Sequence, residues 1–113
     1  MNKPSVLKAL AALAQATRLD AFRALVQAGP DGMAAGELAS RLDISPPALS
    51  FHLKGLVHAG LAASRQEGRF VYYYADYGAM QSLLGYLTDN CCGGSSCAPV
   101  PRPGRRAARR IPG

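Results

Sequence analysis

The sequence predicts a mainly α-helical fold with one small β-hairpin, and three observations predict it. Apolar residues recur at spacings of three and four through most of the first 90 positions, the repeat of amphipathic helices. The run FVYYY at 70–74, behind Glu67-Gly68, is the segment richest in strand formers. Between them, Gly36 to Leu61 reads as a helix, a tight turn and a second helix, and the other elements are arranged around this stretch.

In chain order, Ser5 to Ala14 is a short helix carrying Val6, Leu7, Leu10 and Leu13 with alanines between them. Lys3 before an apolar run, with Ala14-Gln15-Ala16 behind it, imitates a secretory leader. Lys8 interrupts that run, however, and the segment continues as an amphipathic helix, so the expected compartment is the cytoplasm. Thr17 to Ala28 is a second helix with Leu19, Phe22, Leu25 and Val26 inward, ended by Gly29 as a left-handed cap and Pro30. Asp31-Gly32 turns the chain into the central stretch.

There, Leu38 and Leu42 face the core from the first helix, Ile44 fills the turn, and Leu49, Leu53 and Leu56 continue the pattern on the second. Ser45 is the N-cap of that second helix. Pro46 and Pro47 have no N–H, so its oxygen must accept from Ala48. A helix with so fixed an entry, with Pro47, Ser50, Phe51 and Lys54 outward, meets the requirement for reading a DNA major groove; a small all-α core unit is the plain alternative. His52 sits about 60° from the apolar centre, which leaves both a hydrogen-bonded, partly buried histidine and a DNA contact open.

Leu61 to Gln66 and Arg69 to Ala75 form the hairpin around Glu67-Gly68. Phe70, Tyr72 and Tyr74 share one face of its second strand, Val71 and Tyr73 the other, and one set should cover the helices. A hairpin directly after a recognition helix is the wing of a winged helix-turn-helix. Arg65 and Arg69 flank its tip, with Gln66 beside them, where phosphates or the minor groove could be reached, against the alternative of ordinary solvated side chains. Residues 77–90 form the last helix, with Met80, Leu83, Leu84 and Leu87 on one side. Together with the first helix it offers more apolar surface than one small domain needs, which points to a homodimer.

Composition narrows the classes of function. The formal charge is +6, but five arginines lie between Arg102 and Arg110; the remaining eight basic residues face seven acidic ones. Bulk charge therefore does not argue for nucleic acid, and any DNA-binding cations must be deliberately placed. No stretch approaches the length of a membrane span, so no membrane partner is expected. Three domains follow: 1–90 for DNA binding and dimerisation, 91–97 as a cysteine-rich inducer segment, and 98–113 as a basic, disordered Pro/Arg tail.

Cys91, Cys92 and Cys97 fall within seven residues, a poor disulfide framework for a secreted protein. Cys91 and Cys92 are expected to close the last helix about 100° apart around its axis, and the small residues after them let Cys97 fold back into a three-sulfur cup. Three soft thiolates without a fourth ligand suit trivalent arsenic or antimony. Zinc, which wants a fourth ligand, remains an alternative, as do thiol oxidation or persulfidation, a small thiol enzyme or arsenic-sequestering protein, and cysteines without a role.

The segments ATRLDAF, ELASRLDIS, ALSFHLKGLVHAGL and EGRFVYYYAD, in this order over residues 5–90, resemble the ArsR/SmtB family of bacterial metalloregulatory repressors. The resemblance implies a homodimer on an imperfect palindromic operator in double-stranded DNA, released by an inducer, with no permanent cofactor and no enzyme activity. Ser45, Pro47, Ser50, Phe51, His52, Lys54, Arg65, Gln66 and Arg69 would form the DNA-binding set. Two departures qualify it. The segment MAAGELASRL lacks the cysteine pair of many members, and the last helix lacks the Asp and His ligands of zinc sensors. The chain is more similar to a branch with arsenite-binding cysteines just beyond the last helix, which implies Cys91, Cys92 and Cys97 as the inducer ligands. Phe51 stands where the family often has a basic or polar residue.

Overall fold

The computed structural model describes residues 1–94 of the 113-residue chain. Five helices and three short strands follow in the order α1 (Lys3–Leu13), α2 (Ala16–Ala28), β1 (Met33–Ala34), α3 (Ala35–Leu42), α4 (Pro46–His58), β2 (Ala62–Glu67), β3 (Phe70–Ala75) and α5 (Tyr77–Leu87). The expected winged helix-turn-helix is present, with one addition. The hairpin is joined by β1, giving an antiparallel sheet of order β1-β3-β2 in which Met33 faces Tyr73 and Ala34 faces Tyr72. Two residues are too short for a periodic signal, so only the partner strand makes this segment a strand. Gly32 is what brings it there: its φ is +75°, and a Cβ at this position would collide with the backbone of Tyr73.

Helix boundaries follow local chemistry. Asn2 and Gln15 cap α1 and α2 by accepting from the amides of Ser5 and Arg18, and Asp76 caps α5 by accepting from Ala79. Gly29 ends α2 with φ 88° and ψ −175°, an extended glycine conformation and not the left-handed helical cap expected of it. Between α3 and α4, Asp43 takes the left-handed conformation while the amides of Asp43 and Ile44 donate to the carbonyls of Ser40 and Ala39. That is a Schellman turn, which stops α3 and redirects the chain.

Leu25 of α2, Leu38 of α3, Leu49, Leu53 and Leu56 of α4, and Leu61 are completely buried, with Phe22, Met33 and Leu83 around them. Tyr77 fastens α5 by donating its hydroxyl to the Val26 carbonyl at 2.9 Å. The Val71/Tyr73 face of β3 continues to buried Ala75, and Tyr73 packs on this core. The hairpin turn is Gly68-Arg69, since Glu67 pairs with Phe70, one residue later than the spacing implied. Not every apolar stripe turns inward. Leu7 and Leu10 on α1, Leu19 on α2, and Leu84 and Leu87 on α5 are exposed in the single chain.

Leu53 lies in the middle of the helix whose placement everything else serves. Leu53→Ala is expected to cost about 2–5 kcal/mol, the range for a large-to-small change at a fully buried leucine. Urea unfolding followed by circular dichroism measures it; a loss under 1 kcal/mol would show that the site collapses or is not packed as described.

Candidate nucleic-acid interface

The reading helix is oriented by its two ends and its buried side. At the start of α4 the Ala48 amide donates to Ser45 Oγ at 3.3 Å, behind two prolines that have no N–H to satisfy. With Leu49, Leu53 and Leu56 inward, Pro47, Phe51 and Lys54 are exposed on the opposite side and Ser50 is half-buried beside them. Phe51 is 70% exposed, a large ring held in water by a rigid helix.

His52 does not share that face. It is half-buried, and its Nδ1 lies 3.2 Å from Nη1 of Arg18, at the start of α2. The same guanidinium donates from Nε to the Ala12 carbonyl at 2.7 Å. Arginine is always a donor, so in this contact Nδ1 is the acceptor. The ring also meets the edge of Phe51, with centroids 5.4 Å apart and planes at 70°. His52 is thus a half-buried, hydrogen-bonded histidine whose partner is on α2 and not on the wing. Arg18 is a residue the sequence did not single out, because a contact over 34 positions leaves no local trace.

On the wing, Arg65 and Glu67 lie on the same face of β2, and their side chains meet at 2.6 Å. That hydrogen bond and the Glu67 charge raise the Arg65 pKa above its ordinary value. The strand register sets Arg65 directly opposite Tyr72, and its guanidinium lies 4.9 Å from that ring's centroid and 6.0 Å from Tyr74's. The tyrosines are thus a seat for a cation on the face turned away from the core. Gln66 donates to the Gly68 carbonyl at 3.2 Å, and Arg69 is exposed in the turn. Glu67 and the two tyrosines were not picked out as site residues, although period-two alternation already puts them on Arg65's face.

The cysteine segment departs from expectation in geometry. The last helix ends at Leu87, where Thr88 folds its hydroxyl back onto the Leu84 carbonyl at 2.8 Å and Asn90 turns left-handed with φ 56°. Cys91 and Cys92 therefore lie beyond α5 in a 3-10 turn at Cys91–Gly94, with Cys92 itself at φ 59°. Their sulfurs are 3.7 Å apart and both residues are exposed. Cys92 is disulfide-bonded, so a site using its thiolate requires the reduced chain. Cys97 and the tail at 98–113 lie outside the described residues. Among the described residues no three His, Cys, Asp or Glu side chains group to hold a metal ion.

Comparison with known proteins places this geometry. A helix-turn-helix domain family matches residues 13–65. The chain is 35% identical over 80 residues to nodulation protein NolR of Rhizobium meliloti, covering 71% of this chain and 63% of that one. It spans less than two thirds of the length of the curated relatives it matches. Among solved structures it is similar to HlyU from Vibrio cholerae, at 35% identity and a TM-score of 0.61 over 77% of this chain and 97% of that one. It is also similar to an ArsR-like transcriptional regulator from Rhodococcus, at 30% identity and a TM-score of 0.66 over 74% and 76% of the two chains. With a helix-turn-helix, a wing and a closing helix in the same arrangement as these relatives, the chain belongs to the ArsR family of winged helix-turn-helix regulators.

Proposed function

We propose that this chain is a homodimeric transcriptional repressor that reads a palindromic operator and is released by trivalent arsenic or antimony on Cys91, Cys92 and Cys97. The observation that carries DNA binding is the exposed ridge of Pro47, Phe51 and Lys54 on a helix whose entry and rotation are both held. Ser50, Phe51 and Lys54 suit base edges, the ring against a thymine methyl, while Arg65, Gln66 and Arg69 suit mostly phosphate. Dimerisation is supported by α1 and α5, which pack on each other and leave Leu7, Leu84 and Leu87 more than half exposed or at half. The metalloid reading is supported by two adjacent exposed sulfurs already 3.7 Å apart, and it needs Cys97 as the third ligand. A second reading, release by thiol oxidation, is favoured by the disulfide at Cys92.

Mobility shift on the chain's own promoter distinguishes the two. Under reductant, arsenite should release the DNA from the parent chain, and Cys91→Ser, Cys92→Ser and Cys97→Ser should each keep DNA affinity and lose most of that response. A triple-serine chain that still lets go on arsenite addition would sink the metalloid assignment. Release by a thiol oxidant alone, reversed by a thiol reductant, would select the redox reading.

The wing makes a separate expectation. Removing the charge that holds Arg65, by Glu67→Gln, should raise affinity for any duplex by up to about fivefold, the range of an exposed ion pair. Arg69→Ala should weaken all sequences alike and lower the salt slope by about one. Fluorescence anisotropy at several salt concentrations reads both. Leu84→Glu with Leu87→Glu should give a monomer by light scattering and weaken operator binding at least tenfold; a stable dimer would exclude α5 from the interface.

A further inference from the structure

We propose that the groove between α1 and α4 binds a small organic carboxylate with a compact apolar body, at a site separate from the cysteines and from the reading face. Two stripes of identical spacing oppose each other there: Lys8, Ala11 and Ala12 on α1, and Gly55 and His58 on α4 with its C-cap Ala59. Their small members cannot close the space between the helices, which leaves a groove of about 230 Å³. That is below the usual range of ligand sites and suits only a small molecule.

The chemistry of the walls chooses the ligand. Methyl groups and a glycine form the floor, while Lys8, Arg18 and His58 are the titratable groups of the rim, and no carboxylate is among the lining residues. At the end of α4 the carbonyls of Gly55, Leu56 and Val57 accept from the amides of Ala59, Leu61 and Gly60, so these three are not bare towards an anion. Arg18 is held by its bonds to Ala12 and His52, so its guanidinium is positioned before any ligand arrives and loses little freedom on binding. Gly55 allows the approach: a Cβ there would lie 3.3 Å from Arg18 Cδ. An apolar floor beneath a cationic rim fits a carboxylate on a ring or short branched chain, and a bare inorganic anion would leave the floor unused.

The site touches both the helix proposed for the dimer and, through Arg18 and His52, the helix proposed for DNA. A carboxylate that draws Arg18 from His52 would therefore change operator affinity, and the operator would change carboxylate affinity by the same factor. Only this coupling rests on the proposed function; binding in the groove does not.

Amide NMR of the full reduced chain titrated with sodium benzoate tests it, with acetate and inorganic phosphate as comparison probes. Saturable shifts at Ala11, Ala12, Gly55 and Ala59 are expected, with a millimolar dissociation constant about tenfold or more tighter than for acetate or phosphate. Lys8→Glu on the exposed side of α1, and separately Ala59→Leu to fill the floor, should each weaken benzoate at least tenfold while leaving the rest of the spectrum in place. Non-saturating shifts, equal response to all three anions, or binding unchanged by both variants would overturn the proposal. A short DNA duplex that shifts these amides where benzoate does not would assign the rim to backbone phosphate and equally overturn it. Benzoate binding without effect on operator affinity would remove the coupling and keep the site.

Discussion

The fold depends on how α4 is held: three leucines at 49, 53 and 56 sunk into one core, and a serine cap ahead of two prolines that allows the helix a single start. Burial fixes the rotation of the helix about its axis and the cap fixes where it begins. Neither alone would aim a side chain. Together they determine that Phe51 and Lys54 leave the same side, and α2, α3 and the sheet exist in large part to supply the surface the leucines bury. The Schellman turn at Asp43 does the remaining work by setting the angle between α3 and α4 in a few residues.

Cations are scarce in the described part of the chain, and two of the arginines are engaged internally. Arg18 spans α1, α2 and α4 by reaching Ala12 and His52. Arg65 lies between Glu67 and two tyrosine rings. Both arrangements spend charge on position. A held guanidinium meets a phosphate or carboxylate with less lost freedom than a solvated one, but a carboxylate partner such as Glu67 competes with the incoming anion. On the wing, Arg65 is therefore a tempered cation, held by Glu67 as well as by the two rings.

What remains exposed also follows from geometry. A domain this small has too little interior for every apolar stripe its helices carry, so the surplus collects where α1 and α5 lie side by side at the edge of the core. Leu84 and Leu87 sit on the helix that leads directly into the cysteine turn. Any change in the turn would therefore act at the end of that apolar surface.

From residues alone, the helices, the cap at Ser45, the outward set on α4 and the presence of a hairpin were all legible, because each rests on local periodicity or on chemistry within four positions. The family resemblance was legible too, in four short segments spread over the same region. Tertiary structure decided the rest. Met33-Ala34 became a strand only through pairing with β3, and the hairpin turn moved to Gly68-Arg69 once Glu67 met Phe70. Which half of each stripe faced inward at Leu7, Leu19 and Leu84 depended on how many helices compete for one small core. His52 went to Arg18 and Cys91 fell beyond the last helix because a contact across 34 residues and a left-handed asparagine leave no periodic signal: sequence encodes local preference, whereas partners distant in the chain are chosen only when the packed chain brings them together.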